Sequence, residues 1–180
     1  MLRIIAGKLK GRKIEEPDLN IVRPTTDRVR ESIFSSIQFE IEGTKVLDLF
    51  SGSGAISFEF ISRGAKEVFS SEKNRKVFNL IEKNQKKLNI ENLFLFNVEA
   101  FQMIELFKEK KFDFIYLDPP YNEVTLLEET CKKILENDIL DEHGTLIVET
   151  NTEKIKFSDE FLIDKKKKYG KTFVFFIKKR

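Results

Sequence analysis

The 180-residue chain has one cysteine, one histidine and no tryptophan. A single cysteine excludes an internal disulfide, and the sequence offers no ligand cluster for a metal. No apolar run approaches the roughly 20 residues that span a bilayer. The amino terminus, MLRIIAGKLKGRK, has neither a long apolar stretch nor a small-residue cleavage site, so it does not read as a secretory signal. These absences describe a cytoplasmic protein with no metal and no membrane partner. The lone His143 precedes Gly144 at an expected turn and reads as a surface residue. Cys131 shares the apolar face of an expected helix with Leu127, Ile134 and Leu135, which makes it a core residue. What is present is 41% hydrophobic residues, enough for one domain over 1–180 with a sizeable core.

The net charge of +2 conceals an uneven distribution. Residues 1–14 and 165–180 hold 13 of the 32 Lys/Arg and none of the 30 Asp/Glu, so the middle is acidic. Basic ends beside an acidic middle suggest attachment to a polyanion. For KKKKYGK (165–171) taken alone, a solvated charge run is the simpler reading. The arginines say more: five of eight, Arg3, Arg12, Arg23, Arg28 and Arg30, lie in the first thirty residues. Guanidinium forks suit phosphate and carboxylate.

Residues 2–6 and 12–14, joined through Gly7 and Gly11, read as a short basic hairpin within a 1–22 extension. PDLNIVRPTTD reads as a loop before a helix at 27–38 carrying Val29, Ile33, Phe34 and Ile37 on one face. Alternation follows, with strands expected at 45–50, 66–71, 93–97 and 112–117. Helices are expected at 55–63, 74–88, 100–109 and 123–136, and closing strands at 144–150, 161–167 and 172–178. Repeated strand–helix units imply a parallel α/β sheet covered on both faces, and the closing hairpin adds an antiparallel strand. Ligands bind beyond the carboxyl ends of such strands. Asp48 with SGSG, Ser71-Glu72, Asn97 to Glu99, and DPPY (118–121) should therefore converge.

VLDLFSGSGAIS (46–57) joins a strand to a helix, and its glycines allow a tight turn with close approach by a ligand. The third glycine of the dinucleotide fingerprint is replaced by Ser57. Asp48 at the strand end suits an ammonium better than a pyrophosphate, which disfavours a nicotinamide cofactor. Glu72, about twenty residues past the loop, is placed to hold ribose hydroxyls. Ribose plus ammonium without phosphate describes S-adenosylmethionine. In FDFIYLDPPYNE (112–123), Pro119 and Pro120 stop the strand and hold Asp118 and Tyr121 on either side of a stiff turn.

With DLFSGSG as a cofactor loop and DPPY as an amino-methylation motif, the chain resembles class I methyltransferases. More narrowly it resembles the RsmD family of 16S ribosomal RNA guanine-N2 methyltransferases, through RIIAGKLKGRKI (3–14), RPTTDRVRESIF (23–34), VLDLFSGSGA (46–55) and FDFIYLDPPY (112–121), in that order. The resemblance implies a Rossmann-like, seven-stranded, mostly parallel sheet with an N-terminal β-hairpin. It implies that Asp48, Phe50, Ser51, Gly52 and Gly54 surround the methionine part of S-adenosylmethionine. Glu72 would hold the ribose, with Lys73 also at the cofactor, and Glu99 with Ala100 would lie at the adenine, where the family commonly has Asp or Asn in place of Glu99. The product would be S-adenosylhomocysteine, and the partner 16S rRNA or a small-subunit particle met by a monomer.

Guanine's exocyclic amine is a poor nucleophile because its lone pair is delocalised. The Asp118 carboxylate and a proline carbonyl, that of Pro119, could accept both amine hydrogens and stabilise nitrogen as it becomes positive. Pro120 stiffens this arrangement, and Tyr121 offers a face on which the flipped base stacks. Arg3, Lys8, Lys10, Arg12, Lys13, Arg23, Arg28 and Arg30 are the candidates for RNA phosphates. One of Arg23, Arg28 and Arg30 could instead meet the methionine carboxylate, and Arg30 reads equally well as an ordinary helix-surface residue. Two other readings stand beside this one: a DNA amino-methyltransferase, and a non-catalytic RNA-binding assembly protein of the same fold.

Overall fold

The computed structural model describes residues 2–18, 20–21, 24–120 and 123–180. Arg23 and Tyr121 lie outside the described residues. Two short strands, β1 (Leu2–Arg3) and β2 (Lys13–Ile14), pair antiparallel as the N-terminal hairpin. The remaining elements are α1 (Asp27–Ile37), β3 (Lys45–Asp48), α2 (Ala55–Ser62), β4 (Glu67–Ser71), α3 (Arg75–Lys87), β5 (Leu93–Phe96), α4 (Ala100–Leu106), β6 (Phe112–Leu117), α5 (Val124–Glu136), β7 (Leu140–Thr150), β8 (Phe161–Tyr169) and β9 (Thr172–Lys179).

The seven-stranded sheet has the order β5-β4-β3-β6-β7-β9-β8. Strands β3 to β7 pair in parallel, and β9 alone runs against its neighbours β7 and β8. One face is covered by α1, α2, α3 and the hairpin, and the other by α4 and α5. The helix starts follow capping rules: Thr26 accepts from the Val29 amide, and Asn74 accepts from those of Lys76 and Val77. No described helix is long and apolar enough to cross a membrane.

Every residue of α2 is buried, because the hairpin covers the side that the sheet does not. The Glu59 carboxylate accepts from the Ile5 and Ala6 amides at 2.9 and 3.0 Å and from Arg63 at 2.9 Å. The Lys8 amide donates to the Ser62 carbonyl at 2.8 Å. A Cβ at Gly7 would fall 2.0 Å from that carbonyl oxygen, so only glycine lets the hairpin turn sit this close. The turn therefore rests on the carboxyl end of α2, about 12 Å along the helix from the end that meets the SGSG loop.

Two expectations are corrected. Strand β7 begins at Leu140 rather than 144, and its register with β6 jumps from Leu140 to Thr145. The intervening DEHG residues form this irregularity, so His143 lies within a strand and not at a turn, although it is exposed. Arg30 is neither a surface residue nor placed for RNA: it is fully buried on the inner side of α1. Its Nη2 donates to the Arg3 carbonyl at 2.9 Å and to Asp27 at 2.7 Å, tying the hairpin to α1. Cys131 is buried among the apolar residues of α5 and the sheet, in the core role expected of it.

Candidate active site

The carboxyl ends of β3, β4 and β6 open onto a cavity of about 570 Å³, within the size range of a small-molecule site. Among the described residues it is lined by Phe50, Ser51, Gly52, Glu72, Lys73, Glu99, Ala100, Asp118, Pro119 and Pro120, so most of the expected residues come together. Ile56, Val98, Phe101 and Leu126 add apolar wall. Pro24 and Thr25 close one side, together with Asn20 and Ile21. The sequence points to the arginines of this segment for the cofactor, not to Pro24 and Thr25.

The glycine loop is held by its own backbone and by Glu72. Gly54 has φ 77°, in the left-handed region, and its amide donates to the Ser51 carbonyl at 2.7 Å. A Cβ there would approach Phe58 and Ile81 to 3.0 Å, so Gly54 also serves the packing of α2 on α3. Glu72 follows the end of β4. Its Oε2 accepts from the Gly52 amide at 3.1 Å and its Oε1 from the Asn74 amide at 2.7 Å. Burial raises the Glu72 pKa, against the lowering effect of these two amides. Each oxygen keeps a lone pair for a hydroxyl donor in the cavity.

Asp48 lies beneath the loop rather than on the cavity wall, and is 1% exposed. Its Oδ2 accepts from Ser57 Oγ at 2.6 Å, and Ser57 Oγ also meets Ser70 Oγ at 2.6 Å. Ser57 thus does more than depart from a glycine fingerprint: it holds the strand-end carboxylate. Asp48 Oδ1 has no hydrogen-bond partner among the described residues. Burial pushes the Asp48 carboxyl up to about 7, opposed by Ser57. A carboxylate so placed is stabilised by a nearby cation.

At the end of β6, Asp118 is half-buried against the cavity, followed by buried Pro119 and exposed Pro120. Sequence reasoning missed its neighbour, Glu149 of β7, which is 2% exposed. Glu149 Oε2 accepts from Tyr116 OH at 2.5 Å and from Thr25 Oγ1 at 2.9 Å. Burial first, then repulsion from Glu149 and Asp48, raises the Asp118 pKa well above the ordinary carboxylate range. Burial raises that of Glu149 as well. Two close carboxylates out of water disfavour a second negative charge. The signal for Glu149 was an acid inside TLIVET, an otherwise apolar strand beside the one that carries DPPY.

Lys73 and Glu99 meet at 3.9 Å as an exposed pair. Such a contact adds little stability and leaves both side chains free to turn toward a ligand. Glu99 also begins α4, its amide donating to Gln102 Oε1 at 3.1 Å. Of the basic candidates, Arg3, Lys8, Lys10, Arg12, Lys13 and Arg28 are exposed. Arg3 is 3.2 Å from Asp27. The structure does not bring these residues to the cavity mouth.

The family described as "Conserved hypothetical protein 95" matches residues 2–178. Ribosomal RNA small subunit methyltransferase D of Escherichia coli strain K12 is 36% identical over 152 residues, covering 84% of this chain and 76% of that protein. The protein of the same name from Buchnera aphidicola subsp. Acyrthosiphon pisum is 37% identical over 134 residues, 74% of this chain and 69% of that one. The solved structure of yhhF from Escherichia coli has a TM-score of 0.89 at 30% identity, covering 99% of this chain and 98% of that one. Matched from its hairpin to its last strand, the chain belongs to the RsmD family.

Proposed function

We propose that this protein transfers a methyl group from S-adenosylmethionine to the exocyclic N2 amine of a guanine in small-subunit ribosomal RNA. The observation that carries this reading is one cavity bearing Glu72 on one side and Asp118-Pro119-Pro120 on another. The names of the relatives support the RNA substrate, since they act on the small-subunit ribosomal RNA. The residues present fit the cofactor. Buried Asp48 with its unpartnered oxygen suits a cationic ligand, Glu72 suits a ribose diol, and Val98, Phe101 and Ala100 offer an apolar wall to a purine. When bound, S-adenosylmethionine supplies an electrophilic methyl on a sulfonium.

The protein's own part is orientation and charge. Asp118 accepts one amine hydrogen, and the carbonyl of Pro119 accepts the other. This aims the nitrogen lone pair and favours nitrogen as it gains positive charge. The raised pKa of Asp118 makes it a competent acceptor for the proton that the methylated amine then releases. Tyr121 follows in sequence and would stack on the base.

The test is labelled methyl transfer to small-subunit RNA, followed by mass analysis of the nucleosides. N2-methylguanosine is the expected product. Label in adenine or cytosine amines, or in DNA, would replace this reading with another amino-methylation.

A further inference from the structure

The tetralysine run, which taken alone reads as a solvated charge run, is instead built into the sheet. Lys165 to Lys168 lie in β8, which runs in the same direction as β6 and β7 because β9 reverses between them. The carboxyl end of β8 and the β8–β9 turn therefore reach the same edge of the sheet as Asp118. The register fixes the lateral distance. Leu117 pairs with Val148, so Asp118 comes level with Glu149; Glu149 pairs with Val174, and Val174 with Lys167. Three strand spacings separate Asp118 from Lys167, about 14–15 Å between backbones.

Lys165, Lys166, Lys168 and Lys171 are exposed at this edge. Tyr169 is bonded to Ser32 and Lys167 to Ser36 of α1, which fixes the strand beneath its charges. The ammonium groups of Lys165 and Lys168 lie 5.5 and 5.1 Å from the rings of Phe176 and Phe173. The acids close by are Asp164 on the same strand and Glu153, which meets Lys166 at 3.0 Å in an exposed pair. Among the described residues only Lys166 of the four exposed lysines forms an ion pair, so the surface stays net positive.

Lysines on an edge strand also guard against strand pairing. Their placement argues against that as the sole purpose. The other half of the same edge carries Leu162 and Ile163, 48% and 47% exposed, and has no lysine. A guard would be needed most at that apolar half, whereas the charge is concentrated at the end level with Asp118. The N-terminal hairpin turn, which bears Lys8 and Lys10, rests on the far end of α2.

We propose that the lysine-bearing end of β8 with the β8–β9 turn is a phosphate-tracking surface for the RNA substrate, holding nucleotides beside the base seated at Asp118. This rests on the RNA-methylation reading above.

The test is the variant K165Q/K166Q/K168Q, with small-subunit RNA binding followed by fluorescence anisotropy across a salt series. Each lost contact lowers the log–log salt slope by roughly 0.7 on single strands, so the triple variant should lose about 2. Cofactor affinity should stay the same, and K165R/K166R/K168R should keep the wild-type slope. An unchanged slope with an unchanged KM for RNA overturns the proposal. If the glutamine variant also self-associates in that case, edge protection is the lysines' whole purpose. A slope that falls in the glutamine variant, with a wild-type protein that methylates no RNA, would retain the surface and reject the methylation reading. Normal transfer with an unaltered slope would do the reverse.

Discussion

The Tyr116 hydroxyl donates to Glu149 Oε2 at 2.5 Å, and the Thr25 hydroxyl donates to the same oxygen at 2.9 Å. Glu149 is thereby anchored one strand away from Asp118, and its charge helps to raise the Asp118 pKa. Glu149→Gln keeps an acceptor for both hydroxyls but removes that repulsion. Asp118 then ionises at lower pH, so the acid limb of the transfer rate should move to lower pH than in wild type. A purely structural part for Glu149 would lower stability and leave the pH profile where it was. Asp118→Ala should reduce transfer about 100-fold or more, with cofactor affinity nearly unchanged. Near-normal turnover at saturating RNA would remove Asp118 from the mechanism.

Asp48 makes the apo protein's stability depend on pH. Its folded pKa of about 7 stands above the model-peptide value of 3.8, so between about pH 4 and 7 the folded state binds more protons than the unfolded one. Stability from this group is therefore complete at low pH and falls as pH rises through 7. The loss is on the order of 4 kcal/mol for a shift of this size. Asp48→Asn should accordingly melt higher than wild type at pH 8, with the advantage gone at pH 4, while binding S-adenosylmethionine more weakly. Melting curves without cofactor at both pH values check the first part, and calorimetry the second. Equal melting temperatures at pH 8 would mean that Asp48 is not strained when ionised.

Glu72 joins the glycine loop to the end of β4 through the Gly52 and Asn74 amides. Glu72→Ala removes the acceptor for both and the charge-assisted bonds expected to ribose, each about 1.5–3 kcal/mol. The cofactor dissociation constant should rise at least tenfold with the substrate amine's orientation intact, so kcat at saturating cofactor should fall much less. An unaltered dissociation constant would move ribose recognition to another residue.

Periodicity carried most of the fold into the sequence. Strand β6 occupies 112–117 as expected, and α1, α3 and α5 are bounded within a residue or two. Strand β7 was read short because DEHG lacks both alternation and apolar content, and a register jump sits there. The glycine loop and DPPY were legible because few residue types allow such turns, and the cavity joins them. Glu149 was legible only as an acid in an apolar strand, since the face it takes depends on the neighbouring strand's register. Arg30 could have been read better. It lies three, four and seven residues before Ile33, Phe34 and Ile37, squarely on the buried stripe of α1.

That placement separates two arginines expected to act alike. Arg30 is fully buried, donating to the Arg3 carbonyl and Asp27, with its Nε unpartnered among the described residues. Arg28, two positions earlier, is exposed. Arg30→Ala empties a buried site and frees the hairpin's carbonyl, at a cost of about 2–4 kcal/mol. Its melting temperature should fall clearly, and the salt slope of RNA binding should not change once the protein is kept cool enough to remain folded. Arg28→Ala should leave the melting temperature within error. If it contacts RNA, its slope should drop by roughly 0.7. A lower slope for Arg30→Ala in fully folded protein would show that the buried guanidinium reaches the nucleic acid, and that the hairpin opens when RNA binds.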